Sequence, residues 1–273
     1  MRNGEAHKGT PGLWLRGAVI SYVFLLITLP TLALLQVGLS EGLGAVWQGV
    51  SSPQARDAIY LTLVASGIMA VINAVMGTAT AWVLVRYDFP GRSVLSALID
   101  LPFAIPTLVA GVALVLLFGP QSVLGGWLTE WGIPVIFAPP GIVLALMFIS
   151  VPFVVRAVEP VLMEWDPSEE EAASTLGAGP WTTFWRVRLP GLMPVILSGT
   201  VRAFARALGE FGSIVVVSGN IPYKTLTAPV FLYSEIESGE VQVAAAVSVV
   251  VVALALALTF LGRWLEKWTG GHP

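Results

Sequence analysis

Three charges stand close together in a stretch that is otherwise apolar, small or neutral: Arg202, Arg206 and Glu210, within residues 191–217. An ionisable side chain near the centre of a bilayer costs roughly 2.5–3.5 kcal/mol on insertion scales, so all three should face protein or water rather than lipid. Their four-residue spacing places them on one stripe of a helix. Arg206 and Glu210 can pair there, although glutamate first is the better order along a helix. Ala203, Ala207, Gly209 and Gly212 supply small positions where another helix can come close. Two readings fit this stripe. It is either an ion-pair network that holds one helix against its neighbours, or the lining or gate of a path through the membrane. Two cations against one anion leave a local positive excess, and arginine's planar fork of donors suits oxyanions. A second constellation, Asp100 with Pro102 and Pro106, sits in the apolar run 95–118. Pro106 removes an intrahelical hydrogen bond and predicts a kink. Such breaks line cavities in transporters or serve as plain bends, and Asp100 suits either a gate or the interface at the end of the span.

Other chemistry is hard to place. The chain has no cysteine, which excludes disulfides and thiolate metal sites, and its two histidines, His7 and His272, lie near the chain ends. No G-x-x-x-x-G-K-[S/T], H-E-x-x-H or G-x-S-x-G pattern occurs. The expectation is a chain that is not an enzyme and binds no metal or cofactor of its own. Charged residues make up 11% of the 273, against roughly 25% in soluble domains. With a mean hydropathy of +0.82, that composition belongs to an integral membrane protein. The net charge of −3 gives no reason to expect nucleic-acid binding.

Six apolar segments can carry these residues: 17–39, 58–85, 95–118, 140–155, 191–217 and 241–261. The first runs for 23 residues without a charge. That is too long for a secretory core of about 7–15 and long enough to span about 30 Å, so it reads as a retained membrane helix. An all-α protein with six transmembrane helices has both termini on one side. If that side is cytoplasmic, ten lysines and arginines fall inside: Arg2, Lys8, Arg16, Arg86, Arg92, Arg156, Arg186, Arg188, Arg263 and Lys267. Only Arg56 and Lys224 fall outside. This asymmetry predicts cytoplasmic N- and C-termini. Residues 40–57 and 119–139 read as outside loops, with Trp127 and Trp131 as interfacial anchors. The outside segment 219–240 reads as a solvated loop or as a rim that meets an extracytoplasmic partner or the departing anion.

The longest inside loop ends in EWDPSEEEAASTLGAGPWTTFWRVRLP, residues 164–190. Asp166 as cap, Pro167 as first helical residue and Glu169 as the far end of a D-x-x-E box predict a helix start. Gly177 predicts its end. Gly179 and Pro180 predict a second start, after which Trp181, Phe184 and Trp185 share one face. Leu189 and Pro190 mark the return to the membrane. The hairpin either lies on the membrane surface with its aromatics toward lipid or docks a cytosolic partner.

Glu171-Ala172-Ala173, three residues, Gly177, nine residues, then Val187-x-Leu189-Pro190 resembles the EAA motif of binding-protein-dependent ABC import permeases; isoleucine is usual where Val187 stands. The segments YDFPGR (87–92), DLPFAIPT (100–107), VPFVVRAVEPVLME (151–164) and RALGEFGSIVVVSGNIPYKT (206–225) resemble sulfate/thiosulfate importer permeases of the T type. The resemblance covers most of the chain from about residue 55. It implies a type I ABC importer permease fold, with an N-terminal tail, first helix and outside loop over 1–54, a permease core 55–264 that includes the coupling loop 164–190, and a cytoplasmic tail 265–273. It also implies that Glu171, Ala172, Ala173, Gly177, Val187, Leu189 and Pro190 couple to a cytoplasmic ATPase pair that holds ATP and Mg. Ala172 and Ala173 would allow that partner close approach, and Glu171 would offer it a charge. Further implied partners are a second permease subunit, related or identical, and an extracytoplasmic sulfate-binding protein, all at the inner membrane. The molybdate permease shares the LGEFG segment and is the alternative within the family. A secondary transporter driven by an ion gradient is the alternative of another class.

Overall fold

The computed structural model describes residues 11–268, every regular element of which is helical. Expectations for His7, His272, Arg2, Lys8 and the end of the C-terminal tail fall outside the described residues. The chain opens with α1 (Pro11–Val23), a π-helical turn (Phe24–Thr28) and α2 (Leu29–Leu39), one continuous helical rod. The π turn has a local cause. Pro30 has no N–H and its ring crowds the carbonyl one turn back, and widening the helix by one residue relieves both. The Leu29 N–H accordingly reaches back five residues to the Phe24 carbonyl. The short α3 (Gly42–Ser51) leads to α4 (Pro53–Arg86), which Ser52 caps by accepting from the Ala55 N–H. Then follow α5 (Arg92–Ala104), α6 (Thr107–Phe118), α7 (Val123–Glu130) and α8 (Pro139–Met163).

The run 95–118, expected as one kinked span, is two helices. α5 and α6 meet at 117° across Ile105 and Pro106. Pro102 stays inside α5, while Pro106 becomes the residue before α6. The proline therefore stops one helix and starts another rather than bending one. The run 191–217 is likewise two helices, α11 (Leu189–Leu208) and α12 (Gly212–Val217), separated at Gly209–Phe211. Before them come α9 (Ser168–Thr175), α10 (Pro180–Thr183) and a second π turn (Phe184–Arg188), which precedes Pro190 as the first precedes Pro30. α13 (Ala228–Glu237) and α14 (Val241–Trp268) complete the chain.

The segments expected as outside loops are also more ordered than expected: α3 and α7 occupy two of them and α13 the third. α13 buries Val230 and Phe231, and Thr62 of α4 accepts from the Ala228 N–H at 2.8 Å, so residues 228–237 are not a solvated loop. α8 runs two turns past the expected 140–155, which places Arg156 inside the helix rather than in the following loop.

Among the described helices, four are long and apolar enough to cross a membrane: Trp14–Leu39, Pro53–Arg86, Pro139–Met163 and Val241–Gly262. The bent α5–α6 pair makes five if it is one span. This is a multi-pass membrane protein. Its core lies where α4, α8 and α11 pack together around Met69, Leu146, Val154, Val155 and Leu192, all buried. Small residues bring the backbones close: a Cβ on Gly77 would sit 2.9 Å from Val154 Cβ, and one on Gly199 would sit 2.9 Å from Ala157 Cβ. Asn73 of α4 donates to the Met147 carbonyl of α8 at 3.3 Å.

Candidate functional site

Arg206 and Glu210 meet at the α11–α12 break, and Arg202 lies one turn earlier on α11. Helix α11 ends at Leu208, so Arg202 and Arg206 share its face and Glu210 lies just past its end. The pair forms nonetheless, with Arg206 Nη1 2.8 Å from Glu210 Oε2. Glu210 is only 2% exposed, and its other oxygen accepts from the Ser213 N–H at 3.0 Å and the Ser213 hydroxyl at 3.1 Å. A buried carboxylate needs this set of donors to offset its desolvation. Arg206 is partly exposed and Arg202 is exposed.

The two helix breaks interlock. A side chain on Gly212 would strike Thr107 at the start of α6, and one on Gly111 would come 2.8 Å from the Ser213 carbonyl. The expected positions Pro106, Gly212 and Glu210 are thus brought into one neighbourhood by α6 and α12.

Asp100 is elsewhere. It takes both arms of Arg156, from Nε to Oδ1 at 2.8 Å and from Nη2 to Oδ2 at 2.6 Å. Arg156 also pairs with Glu159 and donates to the Ser96 carbonyl at 2.8 Å. This bidentate pair ties α5 to α8.

The third cluster lies at the end of the bundle that carries α9 and α10. The Asp166 carboxylate accepts from the Ser168 N–H at 2.9 Å, not from Glu169 as the expected box requires; α9 starts at Ser168, so Pro167 is its N-cap rather than its first residue, and that cap has no side-chain bond. That backbone hydrogen bond, with the Ser168 hydroxyl second, holds the Asp166 carboxyl below its ordinary value. Gly177 adopts a φ of 83°. The Gly177 N–H returns to the Ser174 carbonyl and the Ala178 N–H to that of Ala173, a Schellman ending. Glu171 and Ala172 are exposed and Ala173 is half-buried. Nothing within 4 Å crowds Gly177. Leu176 and Trp181 stand 88% and 73% exposed beside them. Trp181, Phe184 and Trp185 do share a face, with ring centroids 5.6–6.2 Å apart. Val187 in the π turn and Leu189 at the start of α11, by contrast, are half-buried, and Pro190 is the second residue of α11.

Sequence reasoning missed the centre of this cluster. Glu170, the neighbour of Glu171, accepts from Arg86 Nη2 at 2.8 Å and takes a two-armed contact from Arg188. Arg86 and Arg188 lie over the Trp82 ring, with guanidinium carbons 5.3 and 4.7 Å from its centroid. The i, i+4 spacing of Trp82 and Arg86 carries some of this signal. Partners 84 and 18 residues away carry none.

Residues 73–271 match the family model "Binding-protein-dependent transport system inner membrane component". The chain is 43% identical over 236 residues to the probable sulfate transport system permease protein cysT of Chlorokybus atmophyticus, covering 86% of this chain and 82% of that one. It is 40% identical over 242 residues to sulfate transport system permease protein CysT of Escherichia coli strain K12, covering 88% and 87%. It is 41% identical over 251 residues to sulfate transport system permease protein CysW of Synechocystis, covering 92% and 91%. Its fold is similar to a chain of a bacterial alginate ABC transporter in complex with an alginate pentasaccharide-bound periplasmic protein. The TM-score there is 0.75 at 19% identity, over 94% of this chain and 96% of that one. A second likeness is to the inward-facing MetNI methionine ABC transporter, with TM-score 0.59 and 19% identity over 78% and 94%.

Proposed function

The chain belongs to the family of binding-protein-dependent transport system inner membrane components, and from that premise we propose that it is the permease subunit of an ATP-driven importer of sulfate and thiosulfate. The observation that carries the substrate is an identity of 40–43% to sulfate permeases of two organisms over more than four-fifths of the chain. The protein crosses the inner membrane six times with both termini in the cytoplasm. α11 is the fifth crossing in chain order, despite Arg202 and Arg206 in its last two turns. The α9–α10 end is cytoplasmic. There Glu171, Ala172, Gly177 and the exposed Leu176 and Trp181 form the surface on which an ATPase subunit docks. ATP and Mg belong to that partner.

The path or gate lies at the interlocked breaks. Arg206 is partly exposed, so its guanidinium can meet an oxyanion while Glu210 holds it in place. The chain's own work is to receive the anion from an extracytoplasmic binding protein, shield it from lipid and alternate access as the coupling end moves. A second permease of related sequence completes the pair, a reading supported by the similarity to both CysT and CysW.

The test is radiolabelled sulfate uptake in cells lacking this gene, with the chain restored and with excess molybdate as competitor. Restored ATP-dependent uptake that molybdate barely suppresses is the expected result. Restored molybdate accumulation without sulfate uptake overturns the substrate and keeps the machine. Uptake that proceeds without any ATPase subunit points to a gradient-driven carrier.

A further inference from the structure

Glu170 is the one acidic side chain of α9 with an ion pair to the rest of the bundle among the described contacts, and it faces away from the docking surface. It is 14% exposed, while its neighbours Glu171 and Ala172 point outward. No residue of α9 is buried. The helix therefore has no hydrophobic anchor of its own, and what holds it is polar. One Glu170 oxygen receives Arg86, the last residue of α4, and the carboxylate as a whole receives both arms of Arg188, the residue before α11. α4 and α11 are two of the three core helices, and α11 carries Arg202 and Arg206 toward the break. Trp82 stacks under both guanidinium groups and restricts their rotation. Bidentate arginine–carboxylate pairs transmit orientation as well as force, because two parallel hydrogen bonds fix an angle.

From this juxtaposition we infer that Glu170 is the positioning residue through which motion of α9 is passed to α4 and α11. This rests on the ATP-driven reading above. Glu171 and its neighbours would grip the partner, whereas Glu170 would grip the chain's own transmembrane core. Loss of Glu170 should leave docking and hydrolysis in place and disconnect them from transport.

The experiment uses the complete complex in proteoliposomes, with binding protein and sulfate. ATP hydrolysed per sulfate imported is measured for wild type, Glu170→Gln and the charge-swapped double variant Glu170→Arg/Arg188→Glu. The expected result for Glu170→Gln is hydrolysis within about twofold of wild type, uptake at least about fivefold lower, and a ratio raised accordingly; the double variant recovers some of the ratio. Wild-type stoichiometry in Glu170→Gln overturns the inference. So does a parallel fall of hydrolysis, uptake and ATPase co-purification, which marks a merely structural role. Should Glu170→Gln not assemble, Glu170→Asp keeps the charge and shortens the reach by one methylene. Failure of both to assemble also overturns it. A wild-type complex with neither bound ATPase nor uptake defeats the functional reading itself, and is distinguishable because it precedes any variant.

Discussion

A carboxylate withdrawn from water loses several kcal/mol of solvation, and Glu210 recovers it from one guanidinium, one backbone N–H and one hydroxyl. The unfavourable arginine-before-glutamate order along a helix is avoided because the chain leaves α11 between them. Arg206→Gln should therefore lower stability by about 1.5–3 kcal/mol, the worth of a hydrogen bond to a charged group, and also reduce sulfate uptake per assembled complex. Uptake per complex at the wild-type level would remove Arg206 from the path and leave it a purely structural partner. At the other end, Asp166 gives a signed pH response. Its carboxyl is held low by the Ser168 N–H, so this turn bond is intact at neutral pH and is lost only as pH falls below the ordinary 3.8. Hydrogen exchange at the Ser168 amide should accelerate relative to the rest of α9 in that acid range. In Asp166→Asn, whose neutral amide oxygen can still accept from Ser168, that pH-dependent difference should vanish; its persistence would assign the response to another group.

At the scale of elements, Pro102, Pro152, Pro160 and Pro194 sit inside α-helices, and other prolines mark two kinds of departure from the α-helix. Pro30 and Pro190 sit in helices that continue, and a π turn before each absorbs the missing N–H. Pro106 sits where the helix does not continue, and the chain turns by 117°. The difference lies in what surrounds them. The α6 start is held by close backbone contact with α12 at Gly212 and Gly111. Helix packing elsewhere depends on equally small residues. Gly77→Val places new atoms against Val154, where a Cβ alone already comes to 2.9 Å. The expected loss is about 1–3 kcal/mol from overpacking, read as a lower unfolding midpoint in detergent. An unchanged midpoint would mean that α4 and α8 can separate without cost.

On the scale of the whole molecule, the helical rod at the start stands apart from the core. No residue in its apolar window is buried, and it contributes none of the buried residues of the α4–α8–α11 cluster. Its close approach is Gly38 against Ala245 and Val249 of α14. Removing residues 1–39 should therefore leave a monodisperse bundle with an unfolding midpoint close to that of the full chain, and aggregation of the truncated protein would show that the rod is integral to the fold.

Features that depend on near neighbours are legible along the chain. Apolar runs long enough to cross a bilayer, a helix start within two residues of Asp166, the left-handed Gly177, the aromatic face of Trp181, Phe184 and Trp185, and the spacing from Glu171 to Pro190 are all local, so composition and periodicity reveal them. The tertiary structure alone decided direction and partnership. Hydropathy measures how apolar a run is and not where it points, so a kinked span and the 117° turn at Pro106 look alike as text. Charge counts predict a sidedness and say nothing of pairing. Arg86 and Arg156 entered only as positive residues, yet they close ion pairs across 84 and 56 residues with Glu170 and Asp100. Such pairs form because packing of distant helices brings opposite charges within reach, and no window along the chain contains both ends.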